Sequence, residues 1–116
     1  MTSEIEIHVE QSAEAMAARF VDAWHRAERG EPVHERHLSF ESWEGLRRIL
    51  TERRLELLRH LRHHPAASIA ALARALQRDY KRVHEDVEAL VAAGLVTRDQ
   101  AGLWLGYDEI RASIAV

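Results

Sequence analysis

The spacing of apolar residues in the first part of this chain predicts a strand followed by a helix. Residues 4–9 alternate strictly between polar and apolar side chains, which indicates a half-buried β-strand. Apolar residues then recur every three or four positions, with Ser12 placed as a helix N-cap and Gly30 at the helix end. These apolar residues are Ala13, Met16, Ala17, Phe20, Val21, Trp24 and Ala27.

The pattern over residues 38–65 predicts a short strand and two more helices. Leu38 and Phe40 flank a serine in the manner of a strand, and Ser42 and Thr51 are each placed to cap a helix. The apolar residues are Trp43, Leu46, Ile49 and Leu50 in the first helix and Leu55, Leu58 and Leu61 in the second. Pro65 ends the second helix.

The last third of the chain predicts two helices, a β-hairpin and a final strand. Ser68 and Asp79 are placed to cap helices on either side of a short turn, and Gly94 ends the second helix. The inward-facing residues are Ile69, Leu72, Ala73 and Leu76, then Val83, Val87, Leu90 and Val91. Residues 95–98 and 103–105 read as strands joined by a hairpin turn. The final strand is predicted by the alternation of Ile110, Ala112, Ile114 and Val116.

This order of elements predicts an α+β, mainly helical fold. Three helices followed by a two-stranded ribbon are the order of a winged helix-turn-helix, here over residues 45 to about 107. We therefore expect a strand–helix extension over residues 1–44, used for dimerisation, and a DNA-binding domain with a C-terminal strand over residues 45–116. The short turn between the last two helices makes them cross steeply, so the start of the last helix projects outward.

Charge is distributed unevenly along the chain, although the total is only −3. Residues 45–84 contain ten Lys or Arg and three Asp or Glu, which gives +7, whereas residues 1–44 carry −6 and residues 85–116 carry −4. A polyanion responds to charge within about 8–10 Å, so the basic segment favours nucleic acid despite the acidic total. The alternative is a solvated basic face balanced by acidic neighbours.

The basic segment coincides with the predicted helix start. The major groove of B-DNA is roughly 12 Å wide and admits one helix, whose first turns reach the base edges. The predicted DNA contacts from this helix are Arg78, Tyr80, Lys81, Arg82, His84 and Glu85. Ser68 before the preceding helix and Arg98 and Gln100 at the ribbon complete the predicted site. Other arginines of the segment suit phosphate contacts, and several are expected to pair with Glu52 and Glu56.

Residues 68–96 resemble the helix-turn-helix of MarR- and ArsR-type prokaryotic regulators. The likeness consists of Leu72-Ala73 in the first helix, the polar cap Asp79, the Val and Leu positions after it, and Gly94-Leu95-Val96. It extends over about residues 38–110 to a group of small predicted regulators distantly related to MarR, through Phe40, Arg54, Leu57 and Leu58. Members of that group are often encoded beside toxin genes, so the resemblance implies DNA binding and, in one form, an autoregulating antitoxin.

Three residues depart from the pattern of the resembling proteins. Gln77 stands in the turn where many relatives have glycine, and Glu85 and Asp86 make the reading helix less basic. We expect Asp86 to pair with Arg82 one turn earlier on the same helix.

The sequence gives less support to a metal site or a catalytic site. His60, His63 and His64, and the pair His34 and His37, have spacings that can bring imidazoles onto a metal, but cysteine is absent and histidines also suit a helix C-terminus. We therefore predict no metal site and no cofactor. The sequence also lacks a Gly-rich phosphate loop, a nucleophile elbow and a carboxylate pair on one face, so no catalytic residue and no enzyme activity is predicted. The three tryptophans, Trp24, Trp43 and Trp104, are expected in the core or at a subunit interface.

The sequence thus predicts a homodimeric, sequence-specific regulator of transcription that binds double-stranded DNA, most simply a repressor. A cytoplasmic location is expected because no apolar run approaches the roughly 20 residues that span a bilayer and the N-terminus is acidic. The alternative function is a protein-interaction module whose acidic N-terminal region neutralises a basic partner such as a toxin. The two functions are compatible in an antitoxin.

Overall fold

The computed structural model describes residues 3–10, 13–30 and 35–116. Within these ranges roughly half of the residues are helical, and the fold is α+β. The elements are β1 (Glu4–Val9), α1 (Ala13–Glu28), β2 (Glu35–Phe40), α2 (Trp43–Ile49), α3 (Glu52–His63), α4 (Ile69–Leu76), α5 (Tyr80–Ala92), β3 (Thr97–Asp99), β4 (Gly102–Trp104) and β5 (Glu109–Ile114). The chain divides into two compact units: unit 1 comprises Met1–Leu46 and Glu109–Val116, and unit 2 comprises Arg47–Asp108.

Unit 1 contains a three-stranded parallel sheet in the order β2-β1-β5. The central strand is β1, and its Ile7 is the register partner of Leu38 in β2 and of Ala112 in β5. Parallel neighbours need a long connection: α1 connects β1 to β2, and residues 41–108 connect β2 to β5. The sequence pattern predicted these three strands, and each of them is confirmed.

The central strand separates an apolar face of the sheet from a polar one. Ile5, Ile7 and Val9 are buried. Successive side chains of a strand point to opposite faces, so Glu6 and His8 lie on the other face. His8 is only 8% exposed, so an imidazole is buried on this polar face.

The predicted helix α1 is confirmed, but three of its large apolar side chains face solvent. Phe20, Val21 and Trp24 are 70%, 48% and 59% exposed. Arg19 on the same helix donates two hydrogen bonds to the carboxylate of Glu10, at 2.9 and 2.8 Å, and so joins α1 to the end of β1. This pairing holds the pKa of Glu10 below its ordinary value. The predicted cap Ser12 lies outside the described residues.

Unit 2 has a helical core formed by α3, α4 and α5. Its fully buried side chains include Leu57, Leu61, Leu72, Val83, Val87, Leu90, Leu95 and Leu103. Thr51, Ser68 and Asp79 each cap their helix as predicted, accepting a hydrogen bond from a backbone N–H three residues later. On α3 the predicted apolar stripe was incomplete, because Leu57 is fully buried whereas Leu55 is only half-buried.

The antiparallel ribbon of β3 and β4 confirms the predicted hairpin. The ribbon is also bound to the segment before α4, a contact that was not predicted. Ala66 exchanges two backbone hydrogen bonds with Leu103 of β4, at 3.0 and 2.7 Å. Gly102 has a φ of +108°, and a Cβ at this position would collide with the carbonyl oxygen of Ala66. The crossing therefore requires glycine. Behind the ribbon, the buried Tyr107 hydroxyl donates to the carbonyl oxygen of Leu95 at 2.8 Å.

The domain division differs from the predicted one in the last strand. The observed division after Leu46 lies close to the predicted boundary between residues 44 and 45. However, β5 was assigned to the second domain, and in the structure it pairs with β1 in unit 1. Pairing between strands that lie about a hundred residues apart depends on the whole fold, so the local pattern of either strand does not reveal it.

The tryptophans divide between exposed and half-buried positions. Trp24 and Trp43 are 59% and 49% exposed, so of the two predicted places, the core or a subunit interface, they do not occupy the core, and the interface stays a prediction. Trp104 is half-buried, and its Nε1 donates to Asp99 at 3.0 Å across the ribbon. No helix among the described residues is long and apolar enough to cross a membrane.

Candidate nucleic-acid interface

The candidate site begins at the turn between α4 and α5. Gln77 ends α4 in the left-handed conformation, with φ 54° and ψ 45°. This conformation costs a residue with a side chain roughly 1–2 kcal/mol, which explains why glycine suits the position in the resembling regulators. The backbone N–H of Arg78 returns to the carbonyl oxygen of Ala73 at 3.0 Å, and Asp79 then caps α5. The turn is therefore short and closed by its own hydrogen bonds.

Asp86 is the centre of an ion-pair network that joins α5 to α3. Its Oδ1 accepts from Nε of Arg54 at 3.0 Å, and its Oδ2 accepts from Nη2 of Arg78 at 2.8 Å. Arg54 also donates to the carbonyl oxygens of Arg48 and Ile49, at 3.0 and 3.1 Å. The three charged side chains are 14–17% exposed, so their charges are largely used within unit 2.

The ion-pair partners of Asp86 differ from the predicted one, and they include Arg78, a predicted DNA contact. Asp86 pairs with Arg54 and Arg78 rather than with Arg82, because it lies on the side of α5 that packs towards the turn and α3. Arg78 was predicted among the DNA contacts; in the structure its guanidinium pairs with Asp86, and it lines a polar depression that Arg82 and Glu85 also line. Helical spacing does not reveal the central part of Asp86 in this arrangement, because Arg54 lies 32 positions away along the chain.

Lys81 and Arg82 differ from Arg78 in being exposed at the start of α5. Neither side chain forms a hydrogen bond or an ion pair with any residue that the structure describes; the capping bond from position 82 to Asp79 is made by its backbone N–H. Glu85, one turn further along the helix, is also exposed. The first turn of α5 thus presents two cations without internal partners.

Tyr80 and His84 form a second exposed group on α5, and Arg98 from the ribbon lies near it. Tyr80 is 53% exposed, and its ring centroid lies 5.9 Å from that of His84. Glu88 connects this group to the ribbon: its Oε1 accepts from Arg98 at 2.7 Å and lies 3.6 Å from Nε2 of His84. The hydrogen bond from Arg98 lowers the pKa of Glu88. The position of Glu88 between Arg98 and His84 was not predicted from the sequence.

A groove lies between the start of α4 and the ribbon. Ser68, Tyr80 and Arg98 are among the residues that line it, together with the backbone at the beginning of α4. The hydroxyl oxygen of Ser68 accepts from the backbone N–H of Ala71 at 3.1 Å, so its proton stays available for an acceptor outside the chain. Gln100 is exposed at the tip of the ribbon. The structure thus brings three predicted residues to one groove.

Two further arginines of the basic segment, Arg54 and Arg62, have acidic partners other than those predicted. Glu52 and Glu56 were expected to pair with several arginines of the segment, but the acidic partners in the structure are Asp86 for Arg54 and Asp108 for Arg62. These acidic residues lie far along the chain from their arginines, so helical spacing does not reveal the pairs. Arg53 lines a polar depression together with Arg82 and Glu85.

Among the described residues, histidine rings form two close pairs, and only the pair at the end of α3 was predicted as a cluster. The rings of His60 and His64 at the end of α3 lie 5.1 Å apart. Among the described residues, the group with metal-binding atoms close together is Glu6, His8 and His37 in unit 1. His37 had been considered only with His34, which lies outside the described residues.

Comparison with known proteins identifies a family. In unit 2, α4 and α5 are joined by a short closed turn, and the side chains of Lys81 and Arg82 at the start of α5 have no partner among the described residues. The family model described as HVO_A0114 matches residues 49–112, more than half of the chain, and the chain belongs to this family, whose function is unknown. The match includes every residue of the predicted DNA site. No curated protein and no solved structure matches the chain. The resemblance to MarR- and ArsR-type regulators therefore stays a prediction.

Proposed function

We propose that this chain is a sequence-specific regulator of transcription that binds double-stranded DNA through the first turns of α5. The observation that carries the proposal is the contrast between the cations of unit 2. Arg54 and Arg78 are held by Asp86, whereas Lys81 and Arg82 are exposed and have no partner in the described chain. Leaving two unpaired cations on a helix start suits a surface that meets a polyanion.

The order and connection of the elements support a winged helix-turn-helix. Helices α3, α4 and α5 precede the ribbon, the turn after α4 is short, and Ala66 pairs with β4 in front of α4. In such a domain the last helix enters the major groove, and the ribbon lies against the neighbouring backbone. Lys81 and Arg82 would then lie in or beside the groove.

The groove between α4 and the ribbon suits a phosphate of the same duplex. Ser68 and Tyr80 offer hydroxyl donors there, and the N-terminus of α4 adds the positive end of a helix dipole. Arg98 contributes a guanidinium after exchanging Glu88 for the phosphate. Phosphate contacts of this kind fix the position of the protein on the duplex but carry no sequence information.

The regulator acts as a homodimer in this proposal. Phe20, Val21 and Trp24 on α1 expose large apolar surfaces, which is typical of a protein interface. A two-fold dimer would present two copies of α5 to successive major-groove segments of a pseudo-palindromic operator. One copy of a helix with few exposed cations binds weakly, so the interface and DNA binding belong to the same function.

The proposal is tested by binding of the full chain to the DNA fragment directly upstream of its own coding sequence, followed by fluorescence anisotropy. The variant Lys81→Gln/Arg82→Gln should bind at least about tenfold more weakly, because two counterion-releasing contacts are lost. Arg36→Gln/Arg111→Gln is the control, since it removes the same charge from β2 and β5 of unit 1, where Arg111 is paired with Glu4 and Glu109. Equal loss in both variants, or equal affinity for an unrelated fragment, would contradict specific binding through α5.

The second candidate function is binding of a basic protein partner such as a toxin. It is favoured by the same exposed apolar side chains of α1 and by the acidic character of unit 1. The double variant Phe20→Ser/Trp24→Ser separates the two functions when it is studied by sedimentation and by titration with the product of the adjacent gene. If the variant sediments as a monomer and binds DNA more weakly, the regulator is supported. If it remains a dimer with unchanged DNA binding and no longer binds the product of the adjacent gene, the second function is supported.

A further inference from the structure

Three side chains that bind metals in other proteins meet on the polar face of the sheet in unit 1. Glu6 and His8 are two residues apart on β1, so both point to the same face. His37 of β2 is the register partner of Glu6 and therefore lies on that face as well. The parallel pairing of β1 with β2 thus brings together groups that lie about thirty residues apart in sequence.

The distances between the three side chains suit a small divalent ion. Nε2 of His8 lies 2.9 Å from Nδ1 of His37 and 3.5 Å from Oε2 of Glu6, and the third side of the triangle is 3.8 Å. The circle through these three atoms has a radius of about 2.0 Å, close to the zinc–nitrogen distance of about 2.0–2.1 Å. An ion slightly above the plane of the triangle would reach all three atoms without movement of the backbone.

A residue of the third strand orients the buried histidine. Nδ1 of His8 lies 3.1 Å from Oγ of Ser113 on β5. When Nδ1 carries the proton and donates it to the serine, Nε2 presents its lone pair to Glu6 and His37. Hydrogen bonding of the second ring nitrogen in this way is usual for histidines that bind metals.

His8 is only 8% exposed, and its Nδ1 also lies 3.9 Å from a carboxylate oxygen of Glu10. The carboxylate of Glu10 is occupied by two hydrogen bonds from Arg19. Glu6 and His37 are 30% and 24% exposed at their side chains, so an ion can reach the site from solvent.

We propose that Glu6, His8 and His37 form a Zn²⁺ site with three protein ligands and an open fourth position. Two imidazoles and one carboxylate are a donor set that zinc uses in proteins, with water or a further ligand completing the tetrahedron. The ion connects β1 to β2 and stabilises unit 1 by its binding free energy. This site lies in unit 1 and does not depend on the proposed DNA-binding function.

The alternative is that His8 and His37 only share a hydrogen bond. Their rings are stacked at an angle of 19° with centroids 5.1 Å apart, and the 2.9 Å between the two nitrogens also fits one N–H donating to one lone pair. In that case Glu6 is an ordinary surface carboxylate and added zinc finds no saturable site. The two arrangements differ in metal stoichiometry, which can be measured directly.

The test is a zinc titration of the full, tag-free chain after treatment with a chelator, in competition with a chromophoric zinc indicator. We expect one Zn²⁺ per chain with a dissociation constant in the micromolar range or below. His37→Gln and Glu6→Gln should each weaken binding by about tenfold or more, because each removes one of three ligands. His37 is the preferred position, since its side chain is less buried than that of His8, and circular dichroism checks that the variant is folded.

The matched control is His60→Gln/His64→Gln, which removes the other close pair of imidazoles and should leave zinc binding unchanged. Cobalt provides an independent spectroscopic readout: Co²⁺ should give the visible absorption of a tetrahedral site, and His37→Gln should abolish it. The absence of saturable binding to the unaltered chain would overturn the proposal. Loss of binding in the His60/His64 variant with retention in His37→Gln would also overturn it.

Discussion

The two units of this protein use their charged residues in opposite ways. Unit 1 contains five basic and eleven acidic residues, and unit 2 contains eleven basic and eight acidic residues, so their net charges are −6 and +3. In unit 1 Glu6, His8 and His37 lie on one face of a small parallel sheet, and Arg19 of α1 pairs with Glu10. In unit 2 one set of cations is fixed around Asp86, and another set is left unpaired at the start of α5.

The number of basic residues in a segment therefore does not by itself locate a nucleic-acid interface. Arg54 and Arg78 belong to the same basic segment as Lys81 and Arg82, but only the second pair is available to a partner. Among the described residues the exposed Arg47, Arg53, Arg59 and Arg74 also lack a carboxylate partner, so what distinguishes Lys81 and Arg82 is their place in the first turn of α5. Changes in the free energy of unfolding test the fixed contacts, and changes in a pKa and in DNA affinity test the exposed charges.

The largest effect is expected where backbones cross in unit 2. Gly102→Ala should destabilise the protein by about 3 kcal/mol or more, because the new Cβ meets the carbonyl oxygen of Ala66 and the φ is positive. Gly30→Ala in unit 1 is the matched control: its φ is also positive, but the space around it is open, and it should cost only about 1–2 kcal/mol. Urea denaturation followed by circular dichroism measures both. Equal costs would show that the crossing at Ala66 is loose.

The next effect concerns the ion-pair network. Asp86→Ala should destabilise the protein by about 3 kcal/mol, because it leaves two largely buried guanidinium groups without their carboxylate. Glu85→Ala removes the same charge from the neighbouring exposed position and should change stability by less than about 0.5 kcal/mol. The same denaturation experiment compares the two variants. If Asp86→Ala were no more costly than Glu85→Ala, the separation of fixed from available cations would fail.

A stabilising change is expected at the turn. Gln77→Gly should increase the free energy of unfolding by about 1 kcal/mol, because it relieves the left-handed strain at the end of α4. The gain is reduced by the larger conformational freedom of glycine in the unfolded chain. Thermal denaturation is sensitive enough to detect it. A clear loss of stability would show that the side chain of Gln77 makes a contribution that outweighs the strain.

The smallest effect concerns the partner of the ribbon arginine. Arg98→Gln should raise the pKa of Glu88 towards its ordinary value of 4.5, because the hydrogen bond that lowers it is removed. A lowered pKa in the folded chain stabilises it above the ordinary pKa, and this contribution is lost as the pH falls through the folded-state pKa. NMR titration of the carboxyl carbon measures the shift. An unchanged pKa would mean that Arg98 is already free of Glu88 in solution.

The local features of the fold could be predicted from the sequence because they depend on neighbouring residues. Ser68 and Asp79 cap helices through bonds to residues three positions later, and Gly94 ends α5 with a positive φ of 83°. Apolar periodicity likewise identified Val83 and Val87 as buried. Each of these inferences needs only a short window of sequence.

The remaining features join residues that lie far apart along the chain. The pairing of β5 with β1, and the bonds from Asp86 to Arg54, depend on how whole elements pack. The meeting of His8 and His37 requires the parallel register of β1 and β2, which a strand pattern does not specify. At the candidate DNA site, the sequence located the basic helix start but could not separate Arg78 from its neighbours Lys81 and Arg82.

The salt dependence of DNA binding tests most directly the claim that Lys81 and Arg82 are the available cations. For the unaltered chain on its upstream fragment, log Kd should rise linearly with log salt concentration, because each phosphate contact contributes about 0.9 to the slope. Lys81→Gln/Arg82→Gln should lower the slope by about 1–2, whereas Arg36→Gln/Arg111→Gln should leave it unchanged. A slope equal to that of the unaltered chain in the Lys81/Arg82 variant, or no salt-dependent binding at all, would contradict the account.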